Sequence, residues 1–341
     1  MSDQRPLVSV TVSTFNVEEF VAQSLETIVN QSLKDIEIIC IDDGSSDRTL
    51  EILYEFAMKD SRMTVVAKKQ NEGLAVARNK ALTLARGKYI SFVDSDDLYD
   101  KDLFSKAYKC AEKNDSDMVL WDYVVFKNAN EIEAKKRAPS PLLYVSEDDK
   151  IALLQRPAFT CVKLIKTEVA RKININFPKG LTRQDIPVHW RLVTQLDKIS
   201  LLPERLFYYR QQPHATTQKK DQKLFDLATV MDITQKYLIE SNLYETYKDE
   251  FLRQQLNLLF GMYDSVIDYL KHEALKKLNE RMGEDQWNYI NSRKPMRKQA
   301  RDFYLSLNGS VTAKLRYHGW LLKRSVYRGV KKMYSRVTKQ S

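Results

Sequence analysis

The sequence predicts an α/β protein: a mostly parallel β-sheet with helices on both faces, followed by an α-helical carboxyl-terminal region. Residues 7–125 alternate short runs of β-forming residues with amphipathic helical stretches, which is the pattern of a parallel sheet covered by helices. From about residue 216 onward, apolar residues recur with helical periodicity almost without a break. Only 9 of the 341 residues are glycine, well under the usual share of about 7%, and this scarcity favours long helices.

The first β-α-β unit is visible in residues 7–41. Leu7–Ser13 reads LVSVTVS and predicts the first strand. The run Ile36–Ile41 is too short for a helix and rich in β-branched residues, so it predicts the second strand. Between them one helical face is made of Phe20, Val21, Ser24, Leu25, Ile28 and Val29.

A second unit repeats this order of elements. Asp47 is suited to cap a helix that runs to about Lys59, and Met63–Ala67 predicts the third strand. Gly73 opens the next helix, and Tyr89–Val93 predicts a fourth strand. Because the carboxyl ends of such strands meet at one edge of the sheet, the polar residues that follow each strand are expected in one crevice.

The rest of the first domain is predicted to hold three more strands and a helix. The predicted strands are Met118–Phe126, Cys161–Thr167 and Ile199–Arg210. The helix is expected over Leu181–Leu196, between the last two of these strands.

The chain is predicted to divide into two domains. A polar run, TTQKKDQK, begins at residue 216, and we expect a first domain over residues 1–215 and a helical domain over 216–341. The net charge of +10 is concentrated near the carboxyl end, where residues 293–341 hold 14 Lys or Arg and a single acid, Asp302. Since the excess lies in a terminal segment rather than on one folded face, it does not predict nucleic-acid binding.

The composition predicts a cytoplasmic protein. No apolar run approaches the ~18 residues of a membrane span, and Asp3, Glu18 and Glu19 interrupt the region where a secretory leader needs an apolar core. Neither a span nor a leader is therefore expected. The cysteines are too far apart to predict disulfides or a zinc site: Cys40, Cys110 and Cys161.

Three carboxylates follow the predicted strand that ends at Val93: Asp94, Asp96 and Asp97, with Ser95 between the first two. Such groups repel one another unless a cation or a donor-rich ligand compensates them. Mg²⁺ and Mn²⁺ suit this setting because they bind one or two protein carboxylates together with the oxygens of a substrate diphosphate. The plainer alternative is that the aspartates cap the next helix. Their position beside two other polar loops favours the cation site.

Polar residues also follow the first two strands. Thr14, Asn16 and Glu18 come after the first strand, and the segment from Asp42 to Asp47 comes after the second. A carboxylate in this second loop is able to accept the imide N–H of a uracil or an exocyclic amine. The alternative is an ordinary turn that leads into a capped helix.

A third polar loop, Asn71-Glu72-Gly73, precedes Arg78 and Asn79. The spacing places Arg78 on the first turns of a helix. Its guanidinium is positioned either to reach a nucleotide phosphate or ribose, or to pair with one of the nearby aspartates, and the sequence leaves both interpretations open.

Together these loops resemble the amino-terminal half of a glycosyltransferase family 2 enzyme. Four motifs occur in the family's order: VSVTVSTFN (8–16), IDDGSSD (41–47), NEGLAVARN (71–79) and FVDSDD (92–97). The resemblance covers roughly the first 215 residues, and one departure is Ser13, where the family usually has Pro. It implies a GT-A fold with a Rossmann-type sheet. It also implies inverting transfer of a sugar from a nucleoside-diphosphate sugar, usually a UDP-sugar.

The resemblance implies roles for the loop residues. Thr14, Asn16, Glu18 and either Asp42 or Asp43 would hold the nucleoside. Asp94 would contact the ribose side, and Asp96 would bind the divalent metal, Mn²⁺ or Mg²⁺, on the diphosphate. The full donor-binding set that we predict is Thr14, Phe15, Asn16, Glu18, Asp42, Asp43, Ser45, Asn71, Arg78, Asp94, Ser95, Asp96, Arg210 and His214. The predicted metal ligands are Asp96, Asp94 and His214.

Inversion requires a base that removes the proton of the acceptor hydroxyl while its oxygen attacks the sugar from the face opposite the diphosphate. The family places this base in a Glu-Asp pair that opens a helix, and Leu181–Pro187 (LTRQDIP) resembles that segment. Asp185 is the predicted base, and Gln184 stands where the family usually has Glu. The alternative is that Asp185 only caps a helix whose first turn contains Pro187.

Tyr208–His214 (YYRQQPH) resembles the segment in which the family's Arg, and a His four residues later, close over the diphosphate. Arg210 suits bidentate phosphate contact, and His214 is able to donate to the phosphate or bind the metal. A lone histidine is more often an ordinary surface or core residue, so His214 is favoured only by its position after Arg210.

The carboxyl-terminal tail, about residues 310–341, is predicted to be a basic amphipathic helix. Nine Lys or Arg and no acid lie between Lys314 and Lys339. Its apolar stripe would be Leu315, Gly319, Leu322, Val326, Val330, Met333 and Val337. We expect this helix to lie in the interface of an anionic membrane, on the inner face of the cell membrane. The alternative is that the stripe packs on the catalytic domain or on a sister subunit of a homo-oligomer.

The predicted function is metal-dependent inverting transfer of a hexose or N-acetylhexosamine to a hydroxyl of a glycan or lipid-linked acceptor in surface polysaccharide synthesis. One rival is a sugar-phosphate nucleotidyltransferase, which should carry a glycine-rich basic loop where this chain has Ser13–Asn16. A second rival is a membrane- or nucleic-acid-binding adaptor on an inactive transferase scaffold. That protein would have no use for uncompensated carboxylates in a crevice.

Overall fold

The computed structural model describes residues 5–211, 220–292 and 294–337, with side chains described as far as Arg324. It divides into two compact units, made of Met1–Lys219 with Val230–Leu243 and of Lys220–Thr229 with Tyr244–Ser341. The domain boundary predicted between residues 215 and 216 lies outside the described residues and stays a prediction.

The first unit is built on an eight-stranded mixed sheet. Its strands are β1 (Val8–Thr14), β2 (Ile36–Asp42), β3 (Met63–Ala67), β4 (Tyr89–Asp94), β5 (Leu98–Tyr99), β6 (Met118–Phe126), β7 (Lys163–Lys166) and β8 (Ile199–Arg210). They lie in the order β3-β2-β1-β4-β7-β6-β8-β5. Neighbouring strands in the run β3-β2-β1-β4 pair in parallel, and so do β6 and β8. β7 pairs antiparallel with β4 and β6, and β5 pairs antiparallel with β8. The predicted α/β class is confirmed, with parallel pairing concentrated in the first half.

Helices follow most of these strands. Up to residue 240 they are α1 (Glu18–Val29), α2 (Thr49–Ala57), α3 (Leu74–Leu84), α4 (Leu103–Asn114), α5 (Ile132–Lys136), α6 (Lys150–Leu154), α7 (Thr167–Lys172), α8 (Asp185–Gln195) and α9 (Asp226–Glu240). The strand predicted from Cys161 starts only at Lys163, because a 3₁₀ turn occupies Thr160–Val162. The helix predicted from Leu181 starts only at Asp185, since Arg183 has a left-handed φ of 58° that no α-helix contains.

The side chains of β1 fill the centre of the first unit. Val8, Val10 and Val12 are fully buried, and they belong to one apolar cluster with Leu25 and Ile28 of α1. Burying a side chain of this size stabilises the fold by about 1.5–3 kcal/mol. This cluster fixes α1 against the sheet and therefore fixes the loop that joins β1 to α1.

The parallel strands end at the same level. Thr14 of β1 lies opposite Asp42 of β2, and Ser13 lies opposite Asp94 of β4. The polar loops that follow these three strands therefore share one edge of the sheet, as the sequence predicts.

The second unit is helical. After residue 243 its helices are α10 (Tyr244–Ser265), α11 (Lys271–Asn279), α12 (Glu284–Asn291), α13 (Lys298–Leu307) and α14 (Val311–Val337). Aromatic rings hold it together: Phe303 stacks on Tyr263 with centroids 4.7 Å apart, and Tyr317 stacks on Trp320 at 5.8 Å. None of the helices in the described ranges has the length and apolar character that crossing a bilayer requires.

Candidate active site

The loop after β2 is shaped by Asp42. Its carboxylate is fully buried and accepts hydrogen bonds from the Ser45 amide at 3.0 Å, the Ser45 hydroxyl at 2.6 Å and the Thr14 hydroxyl at 3.1 Å. Asn16 joins this network, because its amide donates to Ser45 Oγ at 3.0 Å and its Oδ1 accepts from the Ser46 amide at 2.8 Å. Four of the predicted donor-binding residues therefore lie together, and their hydrogen bonds fix the backbone of one loop.

Asp43 ties the end of β2 to the start of α3. Its carboxylate accepts from the amides of Glu72 at 3.1 Å and Gly73 at 2.7 Å, and it forms an ion pair with Lys68. Gly44 is required beside it, since its φ is +76° and an added Cβ would lie 2.7 Å from the backbone carbon of Gln70. The loops after β2 and β3 are thus joined into one wall of the crevice.

The rim of this wall holds the more exposed predicted residues. Glu18 accepts from the Arg48 amide at 2.8 Å, and its own amide donates to Asp47 at 3.1 Å. The predicted N-cap is wrong by one residue: Arg48 is the N-cap of α2, and Asp47 instead accepts from the Thr49 amide at 3.0 Å. Two further predicted donor residues are exposed in the same loops: Phe15 and Asn71.

Arg78 joins the first half of the chain to the second. Its Nη2 donates to Asp94 Oδ1 at 2.8 Å and its Nη1 donates to Asp185 Oδ1 at 2.5 Å. Burial opposes the guanidinium charge, but Asp185 and then Asp94 outweigh it and raise the pKa of Arg78. Of the two interpretations that the sequence leaves open, the structure shows pairing with aspartates. One bridge places the predicted base beside the predicted donor site.

The carboxylates after β4 lie in a setting that disfavours their charge. Burial, and then the charge of Asp94, raises the pKa of Asp96 to about 6. Burial and the charges of Asp96 and Asp94 also raise the pKa of Asp97 well above its usual range. Asp97 Oδ2 is buried without a hydrogen-bond partner among the described residues. Ser95, between them, is buried.

These residues fit a divalent cation that is bound by protein carboxylates and by diphosphate oxygens together. The donors are hard carboxylate oxygens, and burial with the charge of Asp94 raises the pKa of Asp96, so a nearby cation would favour its charged form. Asp97 Oδ2, in the same loop, is buried without a hydrogen-bond partner among the described residues. Within the described ranges, no group of three or more His, Cys, Asp or Glu side chains is arranged to hold a metal by itself. His214, the third predicted ligand, lies outside the described residues.

Arg210, at the end of β8, is hydrogen-bonded to the loop after β4. Its Nε donates to the Asp96 carbonyl at 2.8 Å, and its amide donates to Asp97 Oδ1 at 2.6 Å. The guanidinium lies 5.2 Å and 4.9 Å from the ring centroids of Phe20 and Phe126. These contacts place Arg210 beside the predicted diphosphate site, and its contact with phosphate stays a prediction.

Two residues near the site were missed by the sequence analysis. The Tyr99 hydroxyl accepts from the Asp94 amide at 2.8 Å and donates to the Asp94 carbonyl at 2.9 Å, which fixes the start of the acidic loop. Lys163 is fully buried, and burial lowers its pKa to about 8 although the charge of Asp185 opposes the shift. A lysine inside the apolar run CVKLI was the available signal for this second residue.

Residues 9–173 match the family described as Glycosyl transferase family 2. The chain is also 31% identical over 187 residues to TuaG of Bacillus subtilis (strain 168), named as a glycosyltransferase of teichuronic acid biosynthesis. That match covers 54% of this chain and 71% of TuaG. This chain belongs to glycosyltransferase family 2. Family membership confirms the resemblance drawn from the four motifs and places the protein among the glycosyltransferases.

Two further likenesses agree with this assignment. The uncharacterized glycosyltransferase EpsJ of B. subtilis is 30% identical over 225 residues, with 62% of this chain and 63% of EpsJ covered. The crystal structure of residues 1–349 of S. aureus TarS in complex with UDP-GlcNAc superimposes with a TM-score of 0.68 and 21% identity, over 86% of this chain and 85% of TarS 1–349. At that identity the likeness shows the fold alone, and it confirms the GT-A fold of this family 2 chain.

Proposed function

We propose that this family 2 chain transfers a hexose or N-acetylhexosamine, with inversion, from a nucleoside-diphosphate sugar to a hydroxyl of a glycan or lipid-linked acceptor. The observation that supports the proposal most is the Arg78 bridge. It brings Asp185 next to Asp94, although 91 residues separate them in the sequence.

The donor would lie across the ends of β1, β2 and β4. A uridine base and its ribose would lie against the polar loop shaped by Asn16, Asp42 and Ser45, whose backbone is fixed by internal hydrogen bonds. UDP is the nucleotide favoured by the likeness to a TarS complex that contains UDP-GlcNAc. The diphosphate would lie beside Asp94 and Asp96.

A divalent cation, Mn²⁺ or Mg²⁺, would be held by Asp96 and Asp94 together with diphosphate oxygens. When bound, it would neutralise charge that develops on the departing diphosphate. Arg210 would add a second positive charge from β8, at the position fixed by its bonds to Asp96 and Asp97.

Asp185 would act as the base. Its Oδ1 is held by Arg78, and its Oδ2 receives no hydrogen bond from the described residues. The acceptor hydroxyl would give its proton to Asp185 as its oxygen bonds to the anomeric carbon, while the bond from that carbon to the diphosphate breaks on the opposite face. Because the attacking and leaving oxygens lie on opposite faces, the configuration at the anomeric carbon inverts.

The carboxyl-terminal helix would bring the enzyme to its acceptor. Val311, Leu315 and Leu322 of α14 are about 70% exposed, whereas Ala313 and Tyr317 on the other face are buried. With eight Lys or Arg and no acid over Val311–Val337, this helix is suited to an anionic membrane on the cytoplasmic side. The side chains of Val326, Val330, Met333 and Val337 lie outside the description.

Calorimetric titration with UDP, with and without Mn²⁺, tests the proposed function. We expect binding that strengthens when Mn²⁺ is present, and release of UDP from a UDP-sugar when an acceptor is added. Absent or metal-independent UDP binding would favour the adaptor. Binding of a nucleoside triphosphate with release of pyrophosphate would favour the nucleotidyltransferase.

A further inference from the structure

We propose that Arg78 is a positioning residue for the base of this enzyme. It holds Asp185 and Asp94 by one oxygen each and so fixes the separation between the base and the donor site. The inference rests on the proposed function, and its test distinguishes failure of one from failure of the other.

The geometry of the guanidinium supports this role. Its Nη1 and Nη2 belong to one rigid planar fork, and each donates to a different carboxylate, at 2.5 Å to Asp185 and 2.8 Å to Asp94. Two oxygens bound to the same fork cannot move independently. Arg78 is only 3% exposed, whereas the Asp185 and Asp94 side chains are 21% and 31% exposed. Arg78 therefore lies beneath the crevice, and its effect on a substrate would pass through the two aspartates.

Aromatic side chains hold the Arg78 guanidinium in place on the side away from the crevice. It lies 5.4 Å from the ring centroid of Phe177, which packs edge-on against Phe92 with centroids 5.2 Å apart. Asn79 fixes Phe177 by two hydrogen bonds of 2.9 Å, one to its carbonyl and one from its amide. The adjacent residues Arg78 and Asn79 of α3 thus anchor the segment that leads into the predicted base.

The charges around Asp185 give Arg78 a second effect. Among the described residues, the carboxylate also interacts with Lys163, whose buried ammonium is held by the carbonyls of Ala158 and Phe159, and with the buried thiol of Cys161. Without Arg78, Asp185 would lose the ion pair that holds its Oδ1 and would face Asp94 without the guanidinium between them.

Two substitutions at Arg78 separate these effects. Arg78→Gln removes the charge and the fork, and we expect kcat to fall by about 10²-fold or more, with UDP affinity within a few-fold of the wild type. Arg78→Lys retains one charge without the fork, so it should recover only part of kcat and leave UDP affinity near the wild-type value.

Arg62→Gln is the matched control, since Arg62 also forms a partly buried ion pair, with Asp60 at 2.5 Å, in a different part of the unit. It should leave kcat and UDP affinity unchanged. If the kcat of Arg78→Gln falls no more than in the control, or its UDP affinity falls as much as its kcat, the positioning role is overturned. If Arg78→Gln does not fold, Arg78→Lys decides, because recovery of full kcat by a lone ammonium would contradict the fork. A wild-type enzyme without transfer would instead contradict the proposed function.

Discussion

At the scale of single residues, the carboxylates of the site differ in their hydrogen-bond partners and in the pKa shifts that their surroundings cause. Asp42 accepts hydrogen bonds from its own loop and Asp43 from the loop after β3, and these bonds fix backbone geometry. Asp96 and Asp97 lie in a setting that raises their pKa, and Asp185 is held at one oxygen only. We propose chemical roles for Asp94, Asp96 and Asp185, whereas the hydrogen bonds of Asp42 and Asp43 fix the loops around them.

Asp185→Asn tests the proposed base. The amide retains an oxygen for Arg78 but cannot accept the acceptor proton, so we expect transfer to fall by about 10²–10⁴-fold. UDP affinity measured by calorimetry should stay nearly unchanged. Equal loss of transfer and of UDP binding would mean that Asp185 has a structural role.

Asp96→Asn tests the electrostatic cost of the acidic loop. The folded-state pKa of about 6 lies above the ordinary value of 3.8, so the folded protein binds this proton more tightly than the unfolded chain. The resulting stability is present below about pH 4 and is lost as pH rises through about 6. The amide should therefore raise the free energy of unfolding at pH 7.5, on the order of 2 kcal/mol, with little effect near pH 4. Urea unfolding at both pH values measures this, and a gain of equal size at both would contradict the cause given.

At the scale of elements, the site depends on loops and helix ends whose shape is fixed by local backbone geometry. The loop after β2 needs Gly44, whereas the helix that carries Asp185 starts where Arg183 adopts a left-handed conformation. On α14, one face is buried and the opposite face is apolar and exposed. Each of these features is testable by a local change with a matched control.

Gly44→Ala should distort the loop after β2. The added Cβ would meet the backbone of Gln70 at 2.7 Å, and the φ of +76° is itself strained for alanine. We expect a loss of stability on the order of 1–3 kcal/mol and weaker UDP binding. Gly180→Ala is the control, since its φ is +74° but nothing lies within 4 Å of its Cβ. If both variants lose UDP affinity equally, the close approach at Gly44 is not the cause.

Leu315→Glu tests the membrane face of α14. It places a charge among the exposed apolar side chains, so we expect weaker sedimentation with anionic vesicles and unchanged turnover on a soluble acceptor. Thr312→Glu introduces the same charge at an exposed polar position and should reduce binding less. Deleting the helix from residue 310 is a poorer test, because Ala313 and Tyr317 are buried in the helical unit. Equal effects of the two variants would mean that charge alone is responsible, and a change in oligomeric state with Leu315→Glu would favour packing on a sister subunit.

At the scale of the whole molecule, the sequence predicts which strands end in polar loops, because hydrophobic runs and the residues that end them are local signals. It predicts β7 only as a strand, since the antiparallel pairing with β4 and β6 depends on contacts distant in sequence. The same limit applies to the site. The position of Arg78 in the sequence predicts that it pairs either with a nucleotide or with a nearby aspartate. Its choice of partners depends on Asp185, which lies 107 residues away.

A crystal structure with UDP and Mn²⁺, with data collected at the manganese absorption edge, tests the central claim most directly. The account predicts one anomalous peak bonded to the carboxylate of Asp96 or Asp94 and to the diphosphate, with the Asp185 carboxylate across the crevice from it. A manganese peak remote from these aspartates, or UDP bound away from the ends of β1, β2 and β4, would contradict it.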